Sequence, residues 1–262
     1  MIPEYVDTEV LITVMTYPHP SRQSKELVCT AGILEDGSWV RLYPIDYRYM
    51  PPGQRFKKYQ RIRIGLASRG AGNDRRKESR RPDLTSLKLL GEPLDTKERR
   101  PIMENLAHST VIRLREQYEK DSTSLGIVRP VQIIDFIAEP ADPLWKPEWE
   151  AVLAQIDIFS GPPKALRKIP YKFSFRFRCE DSGEAVHTAM VEDWELGVLF
   201  IKESERLGSD EAAATSVLKH YRDTICGPDR DVRFLMGTVF PYNAWVIVGI
   251  YWPPKSYQAS LF

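Results

Sequence analysis

Short stretches of alternating hydrophobic and polar residues run through most of the chain, and this period of two is the pattern of strands with one buried face. The clearest stretch is residues 171–178, YKFSFRFR, in which four aromatic rings share one face and Lys172, Arg176 and Arg178 share the other. Other β-branched or alternating runs lie at residues 9–14, 27–34, 39–45, 59–66, 84–90, 125–139, 233–239 and 245–251. The pattern therefore predicts a protein rich in β-strands.

A tight turn and several helices complete the predicted elements. Asp36 and Gly37 separate two apolar runs, and an Asp-Gly pair supplies the positive φ angles that a two-residue hairpin needs. Apolar positions recur at helical spacing in residues 97–120, 191–207 and 210–222. The mixture of strands and helices predicts an α+β fold.

Proline usage indicates where the chain divides. Six prolines fall between residues 140 and 170, the densest use of this residue in the chain, and such stretches are typical of connections. We therefore predict four segments: a β-rich domain over residues 1–139, a proline-rich connection over 140–170, an α+β domain over 171–254 and a tail over 255–262.

Composition places the chain among ordinary globular proteins. Its 262 residues are 42% hydrophobic and 28% charged. The cysteines, Cys29, Cys179 and Cys226, form no CxxC pair, so neither a disulfide framework nor a zinc site is predicted. No run approaches the roughly 18 apolar residues of a membrane helix, and no apolar signal core begins the sequence. We expect a cytoplasmic protein, and no membrane, metal or cofactor is predicted.

Charge is unevenly distributed, although the net charge is only +1. Residues 54–81 contain eleven basic residues against two acids, a local charge of +9, and residues 161–178 contain no acid. Such segregation can give a neutral protein one cationic face. It predicts nucleic-acid contacts by six arginines: Arg61, Arg63, Arg75, Arg76, Arg80 and Arg81. Solvated loops whose charges are balanced by acids elsewhere would leave the same pattern.

A strand and hairpin near the N-terminus carry a resemblance to known proteins. Residues 28–33, VCTAGI, are followed by residues 36–44, DGSWVRLYP, and together they resemble the opening of prokaryotic proteins with paired OB domains. The resemblance implies small barrels whose open strand face binds oligonucleotides, with Trp39 or Tyr43 stacking on bases and Arg41 on phosphate. A plain hairpin with an interior tryptophan is the alternative. The expected fold is thus α+β and β-rich, with OB-like or related small barrels and flanking helices.

The C-terminal pentapeptide carries a second resemblance. Residues 258–262, QASLF, resemble the bacterial sliding-clamp-binding motif, in which a glutamine bonds the rim of a pocket and adjacent leucine and phenylalanine fill an apolar cleft. The resemblance implies clamp binding by Gln258, Leu261 and Phe262, with a bacterial sliding clamp as partner. The alternative is a tail that docks on its own domain.

One group of residues is suited to catalysis. His187 follows a predicted strand, and Asp193 and Glu195 lie at the start of a predicted helix, so the three could hold a divalent metal or perform acid–base chemistry on a phosphodiester. Asp193 and Glu192 are better suited to cap the N-terminus of that helix, where carboxylates favour the helix dipole. No nucleotide-binding, zinc-protease or serine-hydrolase motif occurs. These three are only weak catalytic candidates, and whether the protein is an enzyme stays open.

The patterns together favour a nucleic-acid-binding accessory protein of DNA replication, repair or phage defence, which binds DNA or RNA and is tethered to the sliding clamp. The first alternative is a metal-dependent nuclease or nucleotide-processing enzyme that uses His187, Asp193 and Glu195. The second is a subunit that docks on a larger complex through Trp145, Trp149 and the aromatic face of residues 171–177.

Overall fold

The computed structural model describes residues 4–21, 25–68, 74–154, 165–239 and 244–255. Within these ranges the chain is a mixed α+β protein, as the sequence predicts. Its elements form an N-terminal unit, residues 5–104, and a C-terminal unit, residues 108–251. No helix in the described ranges is long and apolar enough to span a bilayer.

The N-terminal unit contains eight strands and a helix: β1 (Tyr5–Met15), β2 (His19–Ser21), β3 (Lys25–Leu27), β4 (Thr30–Ile33), β5 (Trp39–Leu42), β6 (Arg61–Ala67), β7 (Ser79–Arg80), β8 (Pro82–Leu90) and α1 (Thr96–Glu104). Six of the strands form a sheet in the order β7-β5-β4-β1-β6-β8, and β2 pairs with β3. The turn between β4 and β5 has Gly37 at φ 81°, as the Asp-Gly pair predicts.

The two ends of the six-stranded sheet are consecutive in sequence. Only Arg81 separates β7 from β8. β7 pairs in parallel with β5, while the start of β8 pairs antiparallel with the end of β6. The short segment from Ser79 to Asp83 therefore contacts strands at opposite ends of the sheet.

The C-terminal unit contains seven strands and four helices: β9 (His108–Ser109), α2 (Val111–Asp121), β10 (Leu125–Val128), β11 (Gln132–Pro140), α3 (Pro147–Ala154), β12 (Tyr171–Arg178), β13 (His187–Met190), α4 (Trp194–Leu207), α5 (Asp210–His220), β14 (Arg233–Val239) and β15 (Ala244–Tyr251). They form one sheet in the order β15-β14-β10-β9 and another in the order β11-β12-β13. A parallel bridge between Val191 and Ile247 connects the two sheets. The hydrogen bonds between strands in the described ranges do not close any sheet of either unit into a barrel.

Strand β12 has the alternation that its sequence predicts. Phe173, Phe175 and Phe177 are fully buried, whereas Lys172 and Arg176 are exposed. β12 pairs antiparallel with β11 from Gln132 through Pro140, so the proline-rich stretch connects two neighbouring strands of one sheet.

An apolar interface joins the two units. The outer face of β1 and β4 packs against β10, β14 and β15, and the buried residues at this contact include Val14, Ala31, Ile33, Ile127, Leu235 and Val248. Every residue of β4 is buried. The C-terminal unit therefore covers the face of this strand that points away from the core of the N-terminal unit.

Candidate nucleic-acid interface

Arg41 lies inside the protein. Its side chain is 0% exposed, its Nη1 donates to Cys29 Sγ at 2.6 Å, and its Nη2 donates to the Ser124 carbonyl oxygen at 3.1 Å. Burial lowers the pKa of the Arg41 guanidinium. Gly237 of β14 lies beside it, where a Cβ would be in ordinary van der Waals contact with Arg41 Nη2 at 3.4 Å. Arg41 is thus unable to contact a phosphate at the surface, and that part of the expectation is wrong.

The loop that follows β6 is rich in basic residues, and its described part, residues 74–81, is held by internal hydrogen bonds. Asp74 accepts from Arg76 Nε at 2.8 Å and Nη2 at 2.6 Å, and from Ser79 Oγ at 2.6 Å. Burial raises the pKa of Asp74, but these hydrogen bonds outweigh burial and hold the pKa below its usual range. Glu78 is buried and accepts from the Ser124 backbone N–H at 3.0 Å. The Arg76 guanidinium therefore donates its hydrogen bonds to Asp74 within the protein.

Tyr43 belongs to the same cluster. Its ring centroid lies 6.0 Å from the guanidinium carbon of Arg76, and its side chain is half-buried. Burial raises the pKa of the Tyr43 hydroxyl. The expected stacking of Tyr43 on a base would have to compete with this internal contact.

The remaining predicted arginines differ in their surroundings. Arg61 and Arg63 lie on β6 with guanidinium nitrogens 3.1 Å and 3.5 Å from the Glu9 carboxylate. Arg75 and Arg81 are exposed, and Arg80 donates to the backbone carbonyls of Lys77 and Ser79. Within the described part of the chain, Arg75, Arg80 and Arg81 have no carboxylate within ion-pair distance. In the described part of the loop, these three are the cations without a carboxylate partner.

A groove lies beside Arg80. Its volume is about 460 Å³, and its lining includes Val6, Trp39, Leu66, Lys77, Arg80 and Thr123. Val6 is 63% exposed, and Trp39 is half-buried. An aromatic ring beside flexible cations is the combination that holds single-stranded nucleic acid, because bases stack on the ring while the backbone follows the charge.

The structure brings two of the three catalytic candidates together, since Asp193 and Glu195 both contact Lys58, whereas His187 has its contacts elsewhere. His187 packs against Phe177 and shares a 2.6 Å hydrogen bond with Ser182 Oγ, and burial, together with Arg115, lowers its pKa. Asp193 is the N-cap of α4, as the sequence allows, and its side chain accepts from the Glu195 N–H. In the described ranges no group of three His, Cys, Asp or Glu residues is placed to hold a metal ion. The nuclease alternative therefore gains no support.

A buried lysine links the two units at the start of α4. Lys58 Nζ lies 3.1 Å from Asp193 Oδ2 and 2.7 Å from Glu195 Oε2. The Lys58 side chain is only 9% exposed and that of Asp193 only 2%. Burial lowers the pKa of Lys58, but Asp193 and Glu195 outweigh burial and raise it above its usual range. The sequence gives no signal for this contact, because its members are about 135 positions apart.

The clamp-binding residues predicted from the tail, Gln258, Leu261 and Phe262, lie outside the described residues. Their role remains a prediction from the sequence.

Fold and contacts define a two-unit α+β protein whose units are joined by an apolar interface and by buried charged contacts. Residues 107–262 match a family model described as a domain of unknown function, DUF8757, and the chain belongs to that family. Residues 6–105 match a second domain of unknown function, DUF8758. The two matches divide the chain where the N-terminal and C-terminal units meet. No curated protein is significantly similar to this chain.

Proposed function

We propose that this protein is a nucleic-acid-binding accessory protein built from two OB-type units, and that it acts on DNA or RNA during replication, repair or defence. The observation that carries the proposal is a strand order that occurs twice, once in each unit. The division between the units falls near residue 106, where the two family matches meet.

In the N-terminal unit, the strand order is consistent with a five-stranded barrel. We take β7 and β8 as one strand that bends at Arg81. The strand order is then β5-β4-β1-β6-β8. The β7 part of the bent strand pairs in parallel with β5, so the last strand of this order also contacts the first. A five-stranded, partly open Greek-key barrel is the OB architecture. The bend at Arg81 separates the hydrogen bonds between β7 and β5 from those between β8 and β6.

The C-terminal unit repeats the arrangement. β10 and β11 are separated by three residues and serve as one long bent strand, which pairs with β14 in its first part and with β12 in its second. β13 follows β12, and the Val191–Ile247 bridge is again parallel, now between the end of β13 and β15. Helices α4 and α5 lie between the third and fourth strands. The same order in two segments of unrelated sequence supports a common architecture.

The groove lined by Lys77 and Arg80 is the site that we propose for nucleic acid. OB-type barrels commonly bind oligonucleotides on the face of the second and third strands and on adjoining loops. In the N-terminal unit, the C-terminal unit covers most of that face, and the groove between Trp39 and Arg80 is the part left accessible. We therefore place the interface at this groove and the loop beside it.

Binding of a fluorescently labelled single-stranded oligonucleotide, followed by anisotropy as salt is varied, tests the proposal. The variant replaces Arg75, Arg80 and Arg81 with alanine and keeps Arg76, whose side chain is bonded to Asp74. We expect weaker binding and a log–log salt slope that falls by about 2 to 3, because each lost phosphate contact removes roughly 0.7 to 0.9.

The matched control replaces three exposed cations elsewhere, Lys57, Arg206 and Lys219, with alanine. It changes the net charge by the same amount, so a general charge effect would weaken both variants equally. A salt slope that the loop variant leaves unchanged would remove the groove from the proposal. Duplex DNA and RNA of the same length, titrated in parallel, identify the preferred nucleic acid.

Tethering to a bacterial sliding clamp is a second part of the proposal, and the C-terminal pentapeptide alone supports it. A tether raises the local concentration of the protein at replicating or repaired DNA, so that modest nucleic-acid affinity suffices. This role is compatible with a net charge of only +1.

We expect the intact chain to bind a purified sliding clamp with a dissociation constant of about micromolar size, as short peptides do. The double variant Leu261→Ala/Phe262→Ala is expected to weaken binding by more than about tenfold, because each side chain contributes roughly 1.5–3 kcal/mol when buried. Surface plasmon resonance measures the affinities, with Ala259→Ser as the control at the variable position of the motif. Equal binding by both variants and the intact chain would contradict the tether.

A further inference from the structure

A second cleft opens between α1, the start of α4 and the end of β15, away from the groove described above. Its volume is about 350 Å³, and its lining includes Arg99, Leu199, Arg230, Ile250, Tyr251 and Pro253. Its residues come from both units, so the cleft exists only in the assembled protein. Pockets of this size hold small molecules.

Three hydrogen-bond donors on residues that line this cleft have no acceptor among the described residues. Arg99 Nε, Arg230 Nε and Tyr251 Oη are all inaccessible to solvent and lack a hydrogen-bond partner among the described residues. Tyr251 as a whole is only 2% exposed. Buried polar atoms are normally paired, because an unpaired donor loses its hydration without compensation. Three such donors on residues of one cleft point to an acceptor-rich ligand, which reaches them when the side chains that cover them shift.

The charges of the cleft favour an anion. Arg99 packs its guanidinium carbon 4.2 Å from the Tyr59 ring centroid and has no carboxylate within ion-pair distance in the described ranges. Arg230 lies 5.0 Å from the Trp252 ring, and its nearest carboxylate, the exposed Asp229, is 3.6 Å from Nε. The acids of the cleft, Asp193 and Glu195, share the single positive charge of Lys58. Lys58, Arg99 and Arg230 thus outnumber the two acids of the cleft by one charge, and Arg99 has no carboxylate partner among the described residues.

We propose that this cleft binds a small phosphate ester of the size of a nucleoside monophosphate. Guanidinium groups bind phosphate through charge-assisted hydrogen bonds, and Tyr251 Oη supplies a third donor to a tetrahedral group that offers several acceptors. Leu199, Ile250 and Pro253 form an apolar wall against which a planar base packs. The site is separate from the nucleic-acid groove and does not depend on it.

Isothermal titration of the full-length protein with AMP, adenosine and inorganic phosphate tests the site. We expect AMP to bind and adenosine to bind far more weakly, because the phosphate carries the charged contacts. Arg99→Gln is expected to weaken AMP binding by about tenfold or more through loss of charged hydrogen bonds. Lys97→Gln is the matched control, since Lys97 is exposed on the same helix and does not line the cleft.

Tyr251→Phe gives a signature that a merely structural tyrosine would not. It removes a buried hydroxyl with no partner, so the ligand-free variant is expected to melt at the same or a higher temperature than the wild type. AMP binding by the same variant should nevertheless weaken several-fold. A lower melting temperature without ligand would show that the hydroxyl is already paired within the protein and would overturn its assigned role.

Two results would overturn the proposal: no heat of binding with AMP, or equal AMP affinity in wild type and Arg99→Gln. Binding of AMP in the nucleic-acid groove is distinguished by the variant that lacks Arg75, Arg80 and Arg81. That variant should leave AMP affinity unchanged if the cleft is the site. Loss of AMP binding in that variant but not in Arg99→Gln would assign the nucleotide to the groove and contradict the cleft.

Discussion

Lys58→Met is expected to lower the free energy of unfolding by about 3–5 kcal/mol, the usual cost of removing one partner of a buried ion pair. The methionine keeps the apolar stem but leaves the Asp193 carboxylate, 2% exposed, without its cation. Asp193 also caps α4, and the N-cap contact to Glu195 N–H neutralises only part of its charge. Equilibrium denaturation in urea measures the loss.

The neighbouring lysine offers a matched control for this prediction. Lys57 is 69% exposed, and its nearest carboxylate, Glu92, lies 3.8 Å away and is itself exposed. Lys57→Met should therefore change stability by no more than about 0.5 kcal/mol, as surface substitutions usually do. If both variants had similarly small effects, Asp193 would have to find another partner or accept a proton, and the Lys58 contact would not hold the units together.

Phe136→Ala is expected to lower the free energy of unfolding by about 3–5 kcal/mol, the range for deleting a buried aromatic ring. Phe136 is 1% exposed and lies at the centre of an aromatic cluster, with ring centroids 4.4 Å from Phe175 and 4.6 Å from Tyr221. The ring therefore packs β11 against β12 and against the helical segment Tyr221–Ile225, which follows α5. Thermal and urea denaturation measure the effect.

Ile134→Ala provides the control on the same strand, because Ile134 is 38% exposed and its truncation leaves no enclosed cavity. We expect it to cost about 1 kcal/mol or less. A second outcome bears on the proline-rich stretch. Since β11 and β12 pair across residues 141–170, Phe136→Ala should shift a single transition rather than release residues 1–139 as a separately folding domain. Two separate transitions would favour the division predicted from proline usage.

Local sequence patterns determined most of the secondary structure. The alternation of residues 171–178 fixed which side chains of β12 face inward, because a strand turns successive side chains to opposite faces. Asp-Gly determined the turn before β5, and Asp193 determined where α4 begins. In each case the interacting residues are only a few positions apart in the chain, so the local sequence is enough to predict the element.

Tertiary structure decided which charged residues are available for binding. Alternation correctly set Arg41 apart from Val40 and Leu42, but an outward-facing side chain stays exposed only if nothing packs over it. Here β14 and Ser124 cover Arg41. Arg76 forms an ion pair with Asp74 and is therefore not available to bind a phosphate. Charge counting treats all arginines of the loop alike, and only their partners distinguish them.

The sequence by itself therefore determined a β-rich α+β chain with segregated charge, because alternation, turn residues and helix caps act over short distances. The contact between units, the Lys58 ion pairs and the cleft around Tyr251 were decided by the tertiary structure alone. Each depends on residues more than a hundred positions apart, and no local pattern specifies which distant surface will cover a given face.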